Sequence, residues 1–184
     1  MSRSSYNLFL TMMMVILLLG AGGCSSYKQS VKRNRAQTEH EKAEKEIIKK
    51  AEKGLKGDEK KILQEAMTWI GTPYQYGAHE KGTATDCSGF VMEVFLSAID
   101  CKLPRNSAKQ ADFCDHVSHR HIKPGDLVFF ATGKDDKISH VGIMIDEIEF
   151  IHASSSKGVV ISSMESSYYK KHFKKYGRVP CLKH

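Results

Sequence analysis

The sequence predicts an α+β domain, and three observations carry the prediction. Two stretches with helical apolar spacing come first, five short strand-like runs follow, and Pro124-Gly125-Asp126 punctuates the change from one regime to the other. Helices first and an antiparallel run of strands afterwards indicate an α+β arrangement. Residues 58–184, about 127 of the 184, have the size of one compact domain.

Residues 1–23 read as an export leader: Arg3 gives a positive start, residues 8–19 an apolar centre, and Gly20-Ala21-Gly22-Gly23 a small-residue exit. The apolar centre is too short to span a bilayer as a helix. Cys24 directly after the small residues resembles a lipobox, which implies cleavage before Cys24 and diacylglycerol on its thiol. Ala21 stands where a lipobox usually carries Leu. An ordinary secretory leader is the alternative, and either one exports the chain.

Residues 24–57 read as a charged tether. The net charge of +7 divides into +1 for residues 1–24, +5 for 25–57 (ten Lys/Arg, five Glu) and +1 for 58–184 (seventeen Lys/Arg, sixteen Asp/Glu). With Ile47, Ile48 and Leu55 as its few large apolar residues, this stretch is expected to bury no core. Alternating Glu and Lys over 41–53 suit a solvated helix. A spacer lifting the domain off a membrane is expected, with attraction to anionic head groups or wall polymers as the alternative. The near-neutral folded part disfavours a nucleic-acid partner, and a monomer is expected.

Asp58 is the expected N-cap of a helix carrying Ile62, Leu63, Ala66, Met67 and Ile70 on one face and ending at Gly71. Residues 72–85 form a Gly- and Thr-rich loop. The second helix covers 88–99, capped by Cys87, with Phe90, Val91, Val94, Phe95 and Ala98 apolar. Strands are expected over 126–131, 140–146, 149–153, 158–162 and 176–180.

This order places the chemistry. A thiol at a helix N-terminus, here Cys87, meets first-turn N–H groups and the positive end of the macrodipole, which favour thiolate. His140 begins one strand and His152 lies near the end of the next, so an imidazole and a second polar group are at hand to activate and orient. If those strands pair around Glu147, whether both rings share a side depends on register, which spacing alone leaves open.

The chain resembles the NlpC/p60 family of cell-wall cysteine peptidases. The matching blocks are Gly71-Thr72-Pro73-Tyr74-Gln75-Tyr76-Gly77, Asp86-Cys87-Ser88-Gly89-Phe90-Val91, and Leu103-Pro104-Arg105-Asn106-Ser107 with Gln110. They continue through residues 124–130, Ser139-His140-Val141-Gly142-Ile143 and Phe150-Ile151-His152-Ala153-Ser154, in order from about Ile62 to Val179. The resemblance implies a papain-like fold, with N-terminal helices packed on an antiparallel sheet of about five to six strands. It implies Cys87 as nucleophile, His140 as general base and later acid, and His152 as the third polar residue. Tyr74, with the Cys87 N–H, would form the oxyanion hole; Tyr76 competes for that role, and the tyrosine not used is expected to pack. Asp86 and Ser88, then Arg105 and Ser107, would contact substrate. The implied reaction is hydrolysis of peptidoglycan stem-peptide amides, at γ-D-glutamyl–diaminopimelate or at a cross-link to diaminopimelate. It needs no metal or other cofactor and suits a lipoprotein facing the periplasm or cell wall.

The chain departs from the family pattern at Ala78, where a second glycine is usual, and in a loop from Tyr74 to Cys87 that is one residue longer. Asn106 stands where some members carry an Asp that clamps a free ammonium; a neutral amide pairs less well with a cation, which favours intact wall as substrate. A related thiol amidase or acyltransferase, or a non-catalytic wall-binding lipoprotein, are the rival readings. Cys114, His116, His119 and His121 lack the paired spacing of a zinc site and read as a loop. Among Cys101, Cys114 and Cys181 one pair is able to bridge in an oxidising compartment, with the choice left open.

Overall fold

A computed structural model describes residues 3–51 and 53–182, with side chains from residue 26 onward. The side chains of the expected leader and of Cys24 lie outside the described residues. Helix α1 (Arg3–Ala51) opens the chain, which divides into a unit ending at His40 and a second beginning at Glu41. Among the described residues no helix is long and apolar enough to cross a membrane.

The second unit starts earlier than residue 58, because the last turns of α1 belong to it. Glu44 and Ile48, four apart and so on one face, are both buried. Ile48 is 0% exposed within the main apolar cluster, and the Glu44 Oε1 accepts the Ile161 N–H at 2.7 Å. Burying one such isoleucine contributes about 1.5–3 kcal/mol. The stretch expected to bury no core therefore supplies part of it.

Helix α2 (Gly57–Met67) buries Ile62, Leu63 and Ala66. Its N-cap is Lys56, without a side-chain bond, rather than Asp58. Asp58 lies in the first turn, where it suits the macrodipole and pairs with Lys61 at 3.2 Å. The short hairpin β1 (His79–Glu80) and β2 (Ala84–Thr85) sits in the expected loop. Helix α3 (Cys87–Ile99) follows, and Trp69 meets its Phe90 edge-on at 5.7 Å. Helix α4 (Ser107–Phe113) starts from Asn106, whose side chain accepts the Lys109 N–H at 2.9 Å. This capping role accounts for a polar side chain at 106.

A six-stranded sheet completes the unit. Its strands are β3 (Asp115–Val117), β4 (Leu127–Phe130), β5 (His140–Met144), β6 (Glu149–Ser154), β7 (Gly158–Ser163) and β8 (Phe173–Arg178). The order is β3-β8-β4-β5-β6-β7, and every pairing is antiparallel. Helix α5 (Ser167–His172) interrupts the strands before β8. The mixed helix-and-sheet class, the six strands and the leading helices agree with the expected fold.

Both faces of the sheet are covered. Leu127, Phe129, Val141, Ile143, Ile151, Ala153 and Val159 join the cluster with α2 and α3. Val128, Phe130, Met144 and Phe150 form a second cluster with Tyr176, against which Tyr169 and Phe173 pack. Strand β4 is consequently apolar at every position, since neither of its faces meets water. A disulfide joins Cys101 to Cys181, while Cys87 and Cys114 are free and buried.

Candidate active site

The site begins with a helix start made by Asp86. Its backbone is extended, and its carboxylate accepts the Gly89 N–H at 2.7 Å, so Asp86 caps α3 and Cys87 is the first residue inside it. Asp86 also accepts the Gly77 N–H at 2.8 Å and the Ser88 hydroxyl at 3.1 Å, and takes Arg105 through both oxygens at 2.9 and 2.7 Å. Burial alone would raise its pKa, but Arg105 and the two N–H donors outweigh it and hold the carboxyl below its ordinary value. Gln110 adds a second brace, donating to the carbonyls of Ser88 at 3.0 Å and Pro104 at 2.9 Å.

Asp86, Ser88 and Arg105, expected to contact substrate, thus spend their polar groups largely on one another. Asp86, Ser88 and Ser107 are buried, and Arg105 is the partly exposed member of the four. Their geometry is that of a scaffold fixing the first turn of α3 to the loop before it.

Cys87 is 7% exposed, and its Sγ lies 3.9 Å from the Ser139 carbonyl, directly ahead of β5. Burial, followed by the charge of Asp86, pushes its thiol up to about 11, against the lowering effect of the nearby Val141, Ser88 and Cys87 N–H groups. The expected preference for thiolate is reversed in the free protein, since loss of solvation outweighs the helix start.

His140 pairs with Phe130 across β4–β5 and is half-buried, and burial pushes its pKa down to about 4. Its Nε2 lies 2.8 Å from Nδ1 of His152, with the rings edge-on at 4.9 Å. The register settles what spacing left open. Ile143 faces Ile151 and Met144 faces Phe150, so Gly142 comes opposite His152 and both histidines share one sheet face. Gly142 is required by close approach: a Cβ there would lie 2.6 Å from Phe150 Cδ2 and 3.2 Å from His152 Cβ.

His152 is buried, and burial, then His140, then Lys157 lower its pKa well below the ordinary imidazole value. Its Nε2 meets Ser162 Oγ at 3.0 Å and Tyr169 Oη at 3.1 Å. Sequence reasoning missed both hydroxyls. Ser162 reaches the ring through the β6–β7 pairing and Tyr169 through α5, and neither carries a local motif.

Tyr74 is half-buried, bridges Thr85, and lines a cavity of about 490 Å³ together with Ser139, His140, His152 and Tyr169. Burial, then the charges of Cys87 and Asp86, raise its phenol above the ordinary value. Tyr76 is 88% exposed, so it does not pack as expected of the tyrosine left over. His116 lies on β3, His119 stacks on Tyr176 at 6.0 Å, and His121 Nδ1 meets Ser118 Oγ at 2.9 Å.

Comparison with known proteins gives this arrangement a lineage. Residues 71–178 match the model of the NlpC/P60 family. The chain is 42% identical over 118 residues to a probable endopeptidase of Haemophilus influenzae, covering 64% of this chain and 73% of that one. It is 39% identical over 119 residues to the murein DD-endopeptidase MepS/murein LD-carboxypeptidase of Escherichia coli K12, covering 65% and 62%. A crystal structure of a lipoprotein-like NLP/P60 family protein from Staphylococcus aureus superposes with a TM-score of 0.61 at 30% identity. That likeness covers 66% of this chain and only 41% of the other, so it concerns one part of a longer protein.

Proposed function

The chain belongs to the NlpC/P60 family, and from that premise we propose that it is a cysteine endopeptidase of the cell envelope. Its substrate is a peptidoglycan stem peptide, cut at γ-D-glutamyl–diaminopimelate or at a cross-link to diaminopimelate. The observation that carries the reading is the 2.8 Å link from His140 Nε2 to His152 Nδ1, together with the thiol at the start of α3 whose Sγ lies 3.9 Å from the carbonyl of Ser139, the residue before His140.

The link sets the proton inventory. Because Nε2 of His140 is engaged with His152, Nδ1 is the nitrogen left to act as base; Nε2 then carries the ring proton and donates it to Nδ1 of His152. His152 then bears its own proton on Nε2, where Ser162 and Tyr169 accept it. The lowered pKa of both rings keeps them neutral at rest, the state in which this chain of donors and acceptors is consistent.

When substrate occupies the groove, the Cys87 proton passes to His140 Nδ1 and the sulfur attacks the amide carbon. The oxyanion meets the Cys87 N–H and the Tyr74 hydroxyl; one such donor is worth about 2.7–4 kcal/mol of barrier. His140 returns the proton to the departing nitrogen, leaving a thioester on Cys87. A water deprotonated by the same ring attacks that carbonyl, and the sulfur leaves and recovers the proton. Asp86, Ser88, Arg105 and Ser107 hold the acyl side of the groove in shape. An export leader over 1–23 and diacylglycerol on Cys24 would anchor the enzyme beside its polymer.

Cys87→Ala tests the reading on purified peptidoglycan and on defined muropeptides. Turnover is expected to fall by at least about a thousandfold, and mass spectrometry of wild-type digests assigns the bond. Undiminished lysis by the variant would refute a thiol mechanism.

A further inference from the structure

We propose that the cavity beside His140 receives the departing half of the substrate, and that Lys157 at its rim pairs with a carboxylate carried there. The inference rests on the catalytic reading above and deepens it by naming a charge.

Position comes first. The nitrogen that leaves takes its proton from His140, so the group attached to it must extend over the wall that carries that ring. The cavity of about 490 Å³ has that ring in its lining, with Tyr74, His152 and Tyr168. Asp86 and Arg105, bonded to each other at the start of the Cys87 helix, are not among the described residues that line the cavity.

Charge comes second. Hydroxyls dominate the lining, including Ser154, Ser155, Ser162 and Ser166. Lys157 is the single Lys, Arg, Asp or Glu among the described residues that line it. Three other cations of this unit have carboxylate partners: Arg105 with Asp86, Arg178 with Asp126 and Lys81 with Glu65. No acid among the described residues pairs with Lys157. Its charge nevertheless reaches the site, as one cause of the lowered pKa of His152.

Rigidity comes third. Lys157 stands in the turn between β6 and β7, and that turn is fastened to the segment leading into Tyr74. Val159 N donates to the Thr72 carbonyl at 2.9 Å and Gly71 N to the Val159 carbonyl at 3.0 Å. Gly158 has φ +74°, and a Cβ there would fall 2.4 Å from the Thr72 oxygen. The base of Lys157 is therefore fixed relative to Tyr74, while its ammonium stays free to swing over the opening. An ammonium above a wall of hydroxyls, with no anion of its own, is complementary to a carboxylate, which gains a charge-assisted hydrogen bond. A cationic or purely apolar group would leave it unpaired.

The test uses two synthetic substrate peptides that differ only in whether the carboxylate of the departing residue is free or amidated. Calorimetric titration of the full chain carrying Cys87→Ala is expected to show the free acid binding about five- to tenfold tighter. Adding Lys157→Ala should erase the difference, Lys157→Arg should keep it, and Lys157→Glu should favour the amide. In the otherwise unaltered enzyme the same preference should appear in KM rather than in kcat. Equal affinity for the two peptides, or a preference that survives Lys157→Ala, overturns the subsite while leaving Cys87-dependent hydrolysis standing. Hydrolysis that survives Cys87→Ala overturns the catalytic reading and, with it, the assignment of this cavity to a departing group.

Discussion

At Cys87 two local effects act against each other. A helix start favours the thiolate by about 0.3–1 kcal/mol, whereas burial moves the thiol up to about 11. His140, pushed down to about 4, resists taking the proton. Burial wins, and the resting pair is neutral thiol and neutral imidazole. Alkylation by iodoacetamide reads the balance, since only thiolate reacts. The Cys87-specific rate, corrected with Cys87→Ala, is expected to climb continuously from pH 7 through pH 9. A plateau reached by pH 7 would mean that a thiolate–imidazolium pair exists before substrate arrives. The residues of the site were legible because six short blocks carry them in order. Their charge state was not, since it depends on how deeply the fold buries them. Ser162 and Tyr169 were invisible for a related reason: a serine and a tyrosine without a motif acquire meaning only when β7 and α5 deliver them to one nitrogen.

Among the elements, β5 and β6 decide whether the two imidazoles meet. The register that sets Gly142 against His152 leaves room for a hydrogen at 142 and nothing larger. Gly142→Ala is expected to cost about 1–3 kcal/mol in stability through overpacking. Its effect on kcat should be larger than Ile143→Val produces at similar stability, because the Phe150 ring it displaces packs on His152 at 5.0 Å and the His152 Cβ is itself 3.2 Å away. Chemical denaturation and steady-state kinetics of both variants, compared at matched stability, check this; equal losses of kcat would make Gly142 a packing residue alone. The strongly patterned elements, α2, α3 and the strands from β4 to β7, were legible from apolar spacing. The seven-residue α4 and six-residue α5 were not, because so short a helix shows no periodicity and announces itself only by a cap such as Asn106. The caps of α2 and α3 each sit one or two residues ahead of the expected position. Cap choice depends on backbone angles that neighbouring polar residues do not distinguish.

Over the whole molecule, stability is drawn together from distant parts of the chain. The Cys101–Cys181 disulfide closes a loop across 80 residues of sequence and ties the end of the domain to the segment after α3. In the chain-entropy account a loop of that length stabilises the fold by about 4–5 kcal/mol, less any native strain. Reduction with dithiothreitol is expected to lower the urea midpoint markedly, with turnover at low temperature retained because Cys87 is already a thiol. An unchanged midpoint would show the bridge to be mechanically idle. Charge partition was legible from composition, but the pairing among three cysteines was not, since only the folded path brings 101 beside 181. The same holds for the end of α1, whose sparse apolar residues give no hint that Ile48 is enclosed. Its Glu44 has a further consequence. Strand β7 borders the sheet, and an unmatched backbone there is a template on which another copy can add a strand. By occupying the Ile161 amide, Glu44 acts as a guard rail along that margin, and a protein trimmed back to residue 58 should precipitate or form ladders where the longer one stays dispersed.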